Sequence, residues 1–350
     1  MLPELEGLRA VAALGIVITH VAFQTGTYSP LLERFDFFVA VFFALSAFLL
    51  ARGTHRSYWR RRFARIAPAY LVCVTVVMAA LPQLAGLRWG QVAANLTLTQ
   101  IYVPHSLIDG LTHLWSLCVE VAFYLVLPLY LALGRGGRAV AVSVFVVGSL
   151  AWPWLPLDAW GSWLGGAVAG LPGAPFGAGL SPWINLQIWP ISYAPWFAVG
   201  LVCALCEGTV PRPRIADRPF PRWVLPLLSM GIAWFSGVVG PAGLTHPSAS
   251  EFNVRILLGA LFAACWVAPY ALWPGQSLLA HPWMRALGRW SYSIFLWHVA
   301  VLAMAFPVLG IELFSGGFVP VLVFTVAVSV AVAYVSYHWV EKPAARIARR

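Results

Sequence analysis

Ten apolar runs of membrane-crossing length divide the chain, at roughly 8–25, 35–51, 65–82, 114–133, 139–157, 184–206, 223–240, 253–273, 289–309 and 318–339. An α-helix needs roughly 20 such residues to cross a hydrocarbon core of roughly 30 Å. In that core every backbone N–H and C=O must find its partner within the segment, which a helix achieves. Composition agrees: 61% of residues are hydrophobic and 10% charged, with a mean hydropathy of +0.80. A soluble 350-residue chain has no core large enough for that much apolar surface. The expected fold is therefore an all-α polytopic membrane protein, a bundle of about ten transmembrane helices forming one domain over residues 1–350. Internal Pro, Trp and Gly in 139–157 and 223–240 leave those two segments open to bending or re-entry.

The cations supply an independent test, since short cytoplasmic loops collect Lys and Arg. If the runs alternate in direction, 19 of the 22 cations fall on one side: Arg9, the six from Arg52 to Arg65, Arg135 and Arg138, the four from Arg212 to Arg222, Arg285 and Arg289, and the four from Lys342 to Arg350. Only Arg34, Arg88 and Arg255 fall on the other. Both termini are then expected to be cytoplasmic, in a multi-pass protein of the cell (cytoplasmic) membrane. The net charge of +10 reads as topology and contact with anionic lipid, and nucleic acid is not an expected partner because no soluble basic domain is present.

Glu4 and Glu6 at the start, a long apolar run and no small-x-small site argue against a cleavable signal peptide. The five cysteines (Cys73, Cys118, Cys203, Cys206, Cys265) all lie in expected spans, so disulfides between exported loops are not expected, and the Cys203-x-x-Cys206 spacing reads as packing. The longest stretches on the outer side are 83–113 and 158–183; the second, rich in Gly, Pro and Trp, reads as a dipping or substrate-capping loop.

Ionisable groups inside a membrane are costly, so each one is a functional candidate. Arg9 and His20 are eleven residues apart, which on a helix brings them within about 20° of one face and separates them by roughly 16 Å along it. A cation thus stands at the cytoplasmic interface, and a titratable imidazole suited to general-base work lies beyond the midplane. Arg62 and Arg65, at i and i+3, share a face at the start of the third run, where two guanidinium forks make a phosphate site. Glu120, about one turn below the outer surface, sits with Trp115, Ser116 and Tyr124 at the head of the fourth run. It is placed either to orient His20 as base or, with Ser116, to bind a sugar hydroxyl. An ion pair with Arg88 or Arg255 is its purely structural alternative. Ser291, Tyr292 and His298 bring polar groups into the ninth run, for substrate binding or for hydrogen bonding between helices.

Taken together, these stretches resemble the acyltransferase-3 family of integral-membrane acyltransferases over nearly the whole chain. The family's Arg-x10-His is Arg9 to His20; its Phe-Phe-x-x-Ser-Gly-Phe is Phe42-Phe43-Ala-Leu-Ser46-Ala47-Phe48; its Arg-x-x-Arg is Arg62 to Arg65; its Trp-Ser-Leu-x-x-Glu is Trp115 to Glu120. Ser-Tyr-x-x-x-x-Trp-His ends at His298, and Glu-x-Pro is Glu341-Lys-Pro343. Two departures stand out. Ala47 replaces the Gly after Ser46, and the usual Gly-x-Asp before the Phe pair reads Phe38-Val39-Ala40, with Asp36 the nearest acid. The esterase-like extension of some members is not expected.

The resemblance implies transfer of an acyl group, acetyl above all, from a cytoplasmic acyl-CoA to a hydroxyl of a glycan, lipid-linked sugar or secondary metabolite. It implies acyl-CoA as donor substrate, a hydroxylated acceptor and the bilayer as partners, with no metal. Arg9, Arg62, Arg65 and Ser46 would engage the donor, His20 and Glu120 the chemistry, and Trp115, Ser116, Tyr124, Tyr292 and His298 the substrate. The donor's phosphates would rest on the arginines while its pantetheine arm threads inward to His20, which acts as base or takes the acyl group itself. Outer tryptophans (Trp152, Trp154, Trp160, Trp163, Trp183) suit either sugar stacking or an interfacial belt. The alternative from another class is a proton-coupled transporter or exporter of a small acylated compound or sugar, with His20, Glu120 and His298 as its relay. Transporters of this kind usually repeat internally, and residues 1–175 and 176–350 show no repetition. A passive scaffold would leave the buried His and Glu unexplained.

Overall fold

The computed structural model describes residues 2–52, 58–170, 182–211, 220–240, 245–275 and 277–348, with the side chains of 220–223 set aside. Among these residues there is no strand, and the fold is an all-α polytopic membrane protein. In chain order the helices are α1 (Pro3–Gln24), α2 (Pro30–Ala51), α3 (Tyr58–Ala80), α4 (Trp89–Leu96), α5 (Thr112–Ala132), α6 (Arg135–Trp154), α7 (Leu157–Ala169), α8 (Pro190–Cys206), α9 (Phe220–Val239), α10 (Ala249–Leu272), α11 (Pro282–Leu309) and α12 (Phe318–Ile347). Eight of them are long and apolar enough to cross a membrane; the runs expected at 184–206 and 223–240 appear as shorter apolar helices, Pro190–Cys206 and Val224–Val239.

Local chemistry explains the boundaries. Ser248 and Glu251 cap α10 reciprocally, the Ser248 Oγ accepting from the Glu251 N–H and the Glu251 carboxylate from the Ser248 N–H. Gly310, at φ +66°, ends α11 in the left-handed conformation that costs a residue without Cβ little. The run at 184–206 begins late as a helix because Asn185 caps a 3-10 turn and Pro190 starts another. The last run extends beyond 339, through a π-helical segment at Tyr337–Glu341 that continues to Ile347. The outer stretch at 158–183 was expected to be a loop. Its first half is instead α7, which packs Leu157 against Ile184 and Leu186; residues 171–181 of that stretch lie outside the described residues.

Small residues decide which helices meet at the centre. A Cβ built on Gly288 of α11 would lie 1.8 Å from the carbonyl oxygen of Glu6 in α1, so only glycine permits this approach. A Cβ on Gly200 of α8 would lie 2.0 Å from the carbonyl oxygen of Ala44 in α2. The close crossing at Ser46-Ala47 is thus made by the glycine of the facing helix, and Ala47 is fully buried beside it. Two ion pairs join helices: Asp36 of α2 accepts from Arg255 of α10, and Glu6 accepts from Arg285 at 3.1 Å. The rim is the reverse, since α6 presents Val140, Val144 and Val147 outward, as expected of a lipid-facing surface.

Candidate active site

Five helices bring the polar motifs together. Arg9 enters from α1, Ser46 from α2, Arg62 and Arg65 from α3, Ser116, Glu120 and Tyr124 from α5, and Ser291 and Tyr292 from α11; all of them line one narrow cavity of about 60 Å³. Next to it lies a vestibule of about 790 Å³ edged by Glu6, Arg52, Arg289, Glu341, Lys342 and Arg346, and Arg9, Arg62, Arg65 and Tyr292 belong to the walls of both. Eight of the eleven site residues expected from sequence therefore share a single space: Arg9, Ser46, Arg62, Arg65, Ser116, Glu120, Tyr124 and Tyr292.

Hydrogen bonds fix the polar wall. Arg9 Nε donates to Ser291 Oγ at 3.1 Å while its guanidinium lies 6.0 Å from the centre of the Phe42 ring. Ser46 Oγ donates to Glu120 Oε1 at 2.7 Å, and the Tyr124 hydroxyl donates to the same oxygen at 2.5 Å. Glu120 is thus held by two hydroxyls from two helices, charge-assisted bonds that are among the stronger kinds. Tyr292 donates to the Ile66 carbonyl at 2.9 Å, tying α11 to α3. Behind this wall Ser293 bridges Ser336 and Glu341, which anchors the π-helical turn of α12 to α11. The forks of Arg62 and Arg65 keep donor capacity, and the buried Nε of Arg62 has no hydrogen-bond partner.

His20, Trp115 and His298 do not line the cavity. Trp115 turns away to pack against Tyr193, their ring centres 4.9 Å apart, because the aromatic layer of Tyr193, Trp196 and Phe197 fills the space beside α5. His20 and His298 meet beyond the cavity's inner end, 5.2 Å apart between ring centres. A third imidazole, His113, joins them at 4.7 Å from His298 and 6.2 Å from His20. Phe295 stands between the two regions: it lines the cavity, faces Phe42 at 6.4 Å, and contacts His113 at 5.1 Å and His298 at 5.9 Å.

Two expectations about Glu120 are corrected by this geometry. It does not touch His20, since its Oε1 is engaged by Ser46 and Tyr124, and it pairs with neither Arg88 nor Arg255, the latter being bound to Asp36. Sequence reasoning also passed over His113. It precedes the fourth apolar run and reads as part of an outer loop, but the 3-10 turn Thr112–Leu114 carries it into the bundle, where it is 3% exposed. Its place two residues before the Trp-Ser motif was the available signal.

The fold is a polytopic helical bundle whose centre holds an arginine-walled cavity, with three imidazoles clustered behind Phe295. The chain belongs to the acyltransferase-3 family: the family model described as "Acyltransferase domain" matches residues 2–338. It is a membrane O-acyltransferase. Among curated proteins it is 28% identical to Acyltransferase MdmB of Streptomyces mycarofaciens over 354 aligned residues, covering 89% of this chain and 82% of that protein. It is 31% identical to O-acetyltransferase OatA of Staphylococcus aureus over 153 residues, covering 37% of this chain and 24% of that protein. No solved structure matches.

Proposed function

We propose that the protein moves a short acyl group, acetyl first, from a cytoplasmic acyl-CoA to a hydroxyl of a glycan, lipid-linked sugar or secondary metabolite at the outer side of the cell membrane, with both termini in the cytoplasm. The observation that carries this reading is a cation-rimmed vestibule and a narrow cavity that share Arg9, Arg62 and Arg65 as walls, with Phe42 and Phe295 of the cavity lining beside the imidazoles. Diphosphate and 3′-phosphate groups suit the open guanidinium forks, and a pantetheine arm suits a channel too narrow for the nucleotide. The acetyl group itself is favoured by the similarity to O-acetyltransferase OatA.

In this scheme the thioester carbonyl reaches His20 after the Phe42–Phe295 contact opens. His20 takes the proton of the acceptor hydroxyl as its oxygen attacks; the C–O bond forms, the C–S bond breaks, and His20 returns the proton to the thiolate. Ser46 and Tyr124 keep Glu120 on the donor side, where its charge balances the arginines rather than steering the base. The lack of paired halves and the family's chemistry favour transfer over proton-coupled transport of the same compounds.

The test is the purified protein with radiolabelled acetyl-CoA. Release of labelled acetate, or label retained on the protein, is expected from the wild type and lost in His20→Ala. Failure of the wild type to bind or cleave any short acyl-CoA overturns the donor assignment.

A further inference from the structure

His298 is fully buried, and its Nδ1 lies 2.7 Å from the backbone carbonyl oxygen of Phe295, one turn earlier on α11. A carbonyl only accepts, so Nδ1 carries the proton and Nε2 of the neutral ring is a bare acceptor. That Nε2 is buried and has no hydrogen-bond partner. A buried acceptor without a donor is costly, and the atoms able to satisfy it are the N–H groups of the neighbouring imidazoles. His298 is the middle ring of the three, closer to both His20 and His113 than these two are to each other. With ring nitrogens lying about 1.1 Å from their ring centre, a 5.2 Å separation brings nitrogen to nitrogen within hydrogen-bond range once the His20 ring turns to face it.

We infer that His298 is the positioning residue for His20: its bare Nε2 accepts the N–H of His20, fixes the tautomer of that ring and leaves the second His20 nitrogen unprotonated toward the reacting hydroxyl. The orienting group of a base is commonly a carboxylate. Here the carboxylate of the site, Glu120, is engaged elsewhere, and a backbone carbonyl acting through an imidazole takes the role. The crossing that sets this pair is the glycine contact of Gly288 on the Glu6 carbonyl, lower on the same two helices. His113 packs edge-on against both rings and closes the cluster, so its loss disturbs packing without removing the acceptor.

This inference rests on the proposed role of His20 as base, and the experiment separates the two. Acetyl-CoA hydrolysis by the full-length purified protein is measured for His20→Ala, His298→Leu, His298→Gln and His113→Leu, together with coenzyme A binding and thermal stability. His298→Leu is expected to lower kcat by about 100-fold or more with coenzyme A binding unchanged. His298→Gln, whose amide oxygen reaches the place of Nε2, is expected to recover at least a tenth of wild-type kcat, and His113→Leu to keep kcat within a few-fold of wild type. Full activity of His20→Ala overturns the base assignment itself. If His20→Ala is inactive while His298→Leu turns over like the wild type, or if Leu and Gln at 298 are equally impaired with equally lowered stability, the positioning role is overturned and His298 is a packing residue.

Discussion

The two ends of the central cavity are built on opposite plans. At the arginine end the fixed groups satisfy one another: Arg9 with Ser291, Glu120 with Ser46 and Tyr124, Tyr292 with the Ile66 carbonyl. The open capacity there is guanidinium N–H, which suits a charged visitor. At the imidazole end the buried Nε2 of His298 has no hydrogen-bond partner, and the residue between the two ends is a phenylalanine. On the proposed function, one end holds the donor's anions and the other exchanges a proton. In the proposed mechanism, dividing recognition from chemistry along one helix, α1, lets a single binding event deliver the reacting carbonyl to its base.

If that division is correct, substitutions at the two ends move different kinetic constants. The largest effect is expected from His20→Ala, which should lower kcat for acetyl-CoA cleavage by about 1,000-fold while coenzyme A still binds. Next comes the pair Arg62→Ala with Arg65→Ala, expected to weaken coenzyme A binding by about 100-fold, an effect that added salt reproduces in part for the wild type but not for the double variant.

Those arginines and His20 were legible in the sequence because helical periodicity alone puts residues at i+3 or i+11 on one face. What Glu120 touches was not legible. Its partners depend on how α2 lies against α5, a long-range packing that the periodicity of either helix does not encode. His113 was hidden for a different reason: hydropathy assigns residues to spans by their neighbours, and a polar turn ahead of an apolar run reads as loop whether or not tertiary packing buries it. The helix α7 escaped likewise, because its glycines and tryptophans resemble loop composition while Leu157 and Gly165 secure it against the segment at Pro182–Ile184.

Smaller expected effects distinguish the shared frame from either end. Glu120→Ala leaves the buried Tyr124 hydroxyl and the half-buried Ser46 hydroxyl without their carboxylate acceptor and unbalances the neighbouring arginines; a loss of about 1–3 kcal/mol in thermal unfolding is expected, with donor binding affected more than the chemical step. Gly288→Ala forces α11 away from α1 and is expected to cost about 1–3 kcal/mol and to lower binding and turnover together, since both ends depend on that crossing. Trp163→Ala, at a residue 72% exposed on α7, should change stability by less than about 0.5 kcal/mol. A strong effect of Trp163→Ala on acceptor transfer with none on acetyl-CoA hydrolysis would assign that tryptophan to sugar stacking.

The division of labour is tested most directly by equilibrium binding of coenzyme A, measured side by side with single-turnover cleavage of acetyl-CoA, for Arg62→Ala and His20→Ala. Weakened binding in the arginine variant with near-normal cleavage at saturation, and normal binding in the histidine variant with cleavage abolished, is the expected pair of results. If His20→Ala loses coenzyme A binding as severely as Arg62→Ala, or Arg62→Ala binds normally and fails only in cleavage, then recognition and chemistry are not separated along α1.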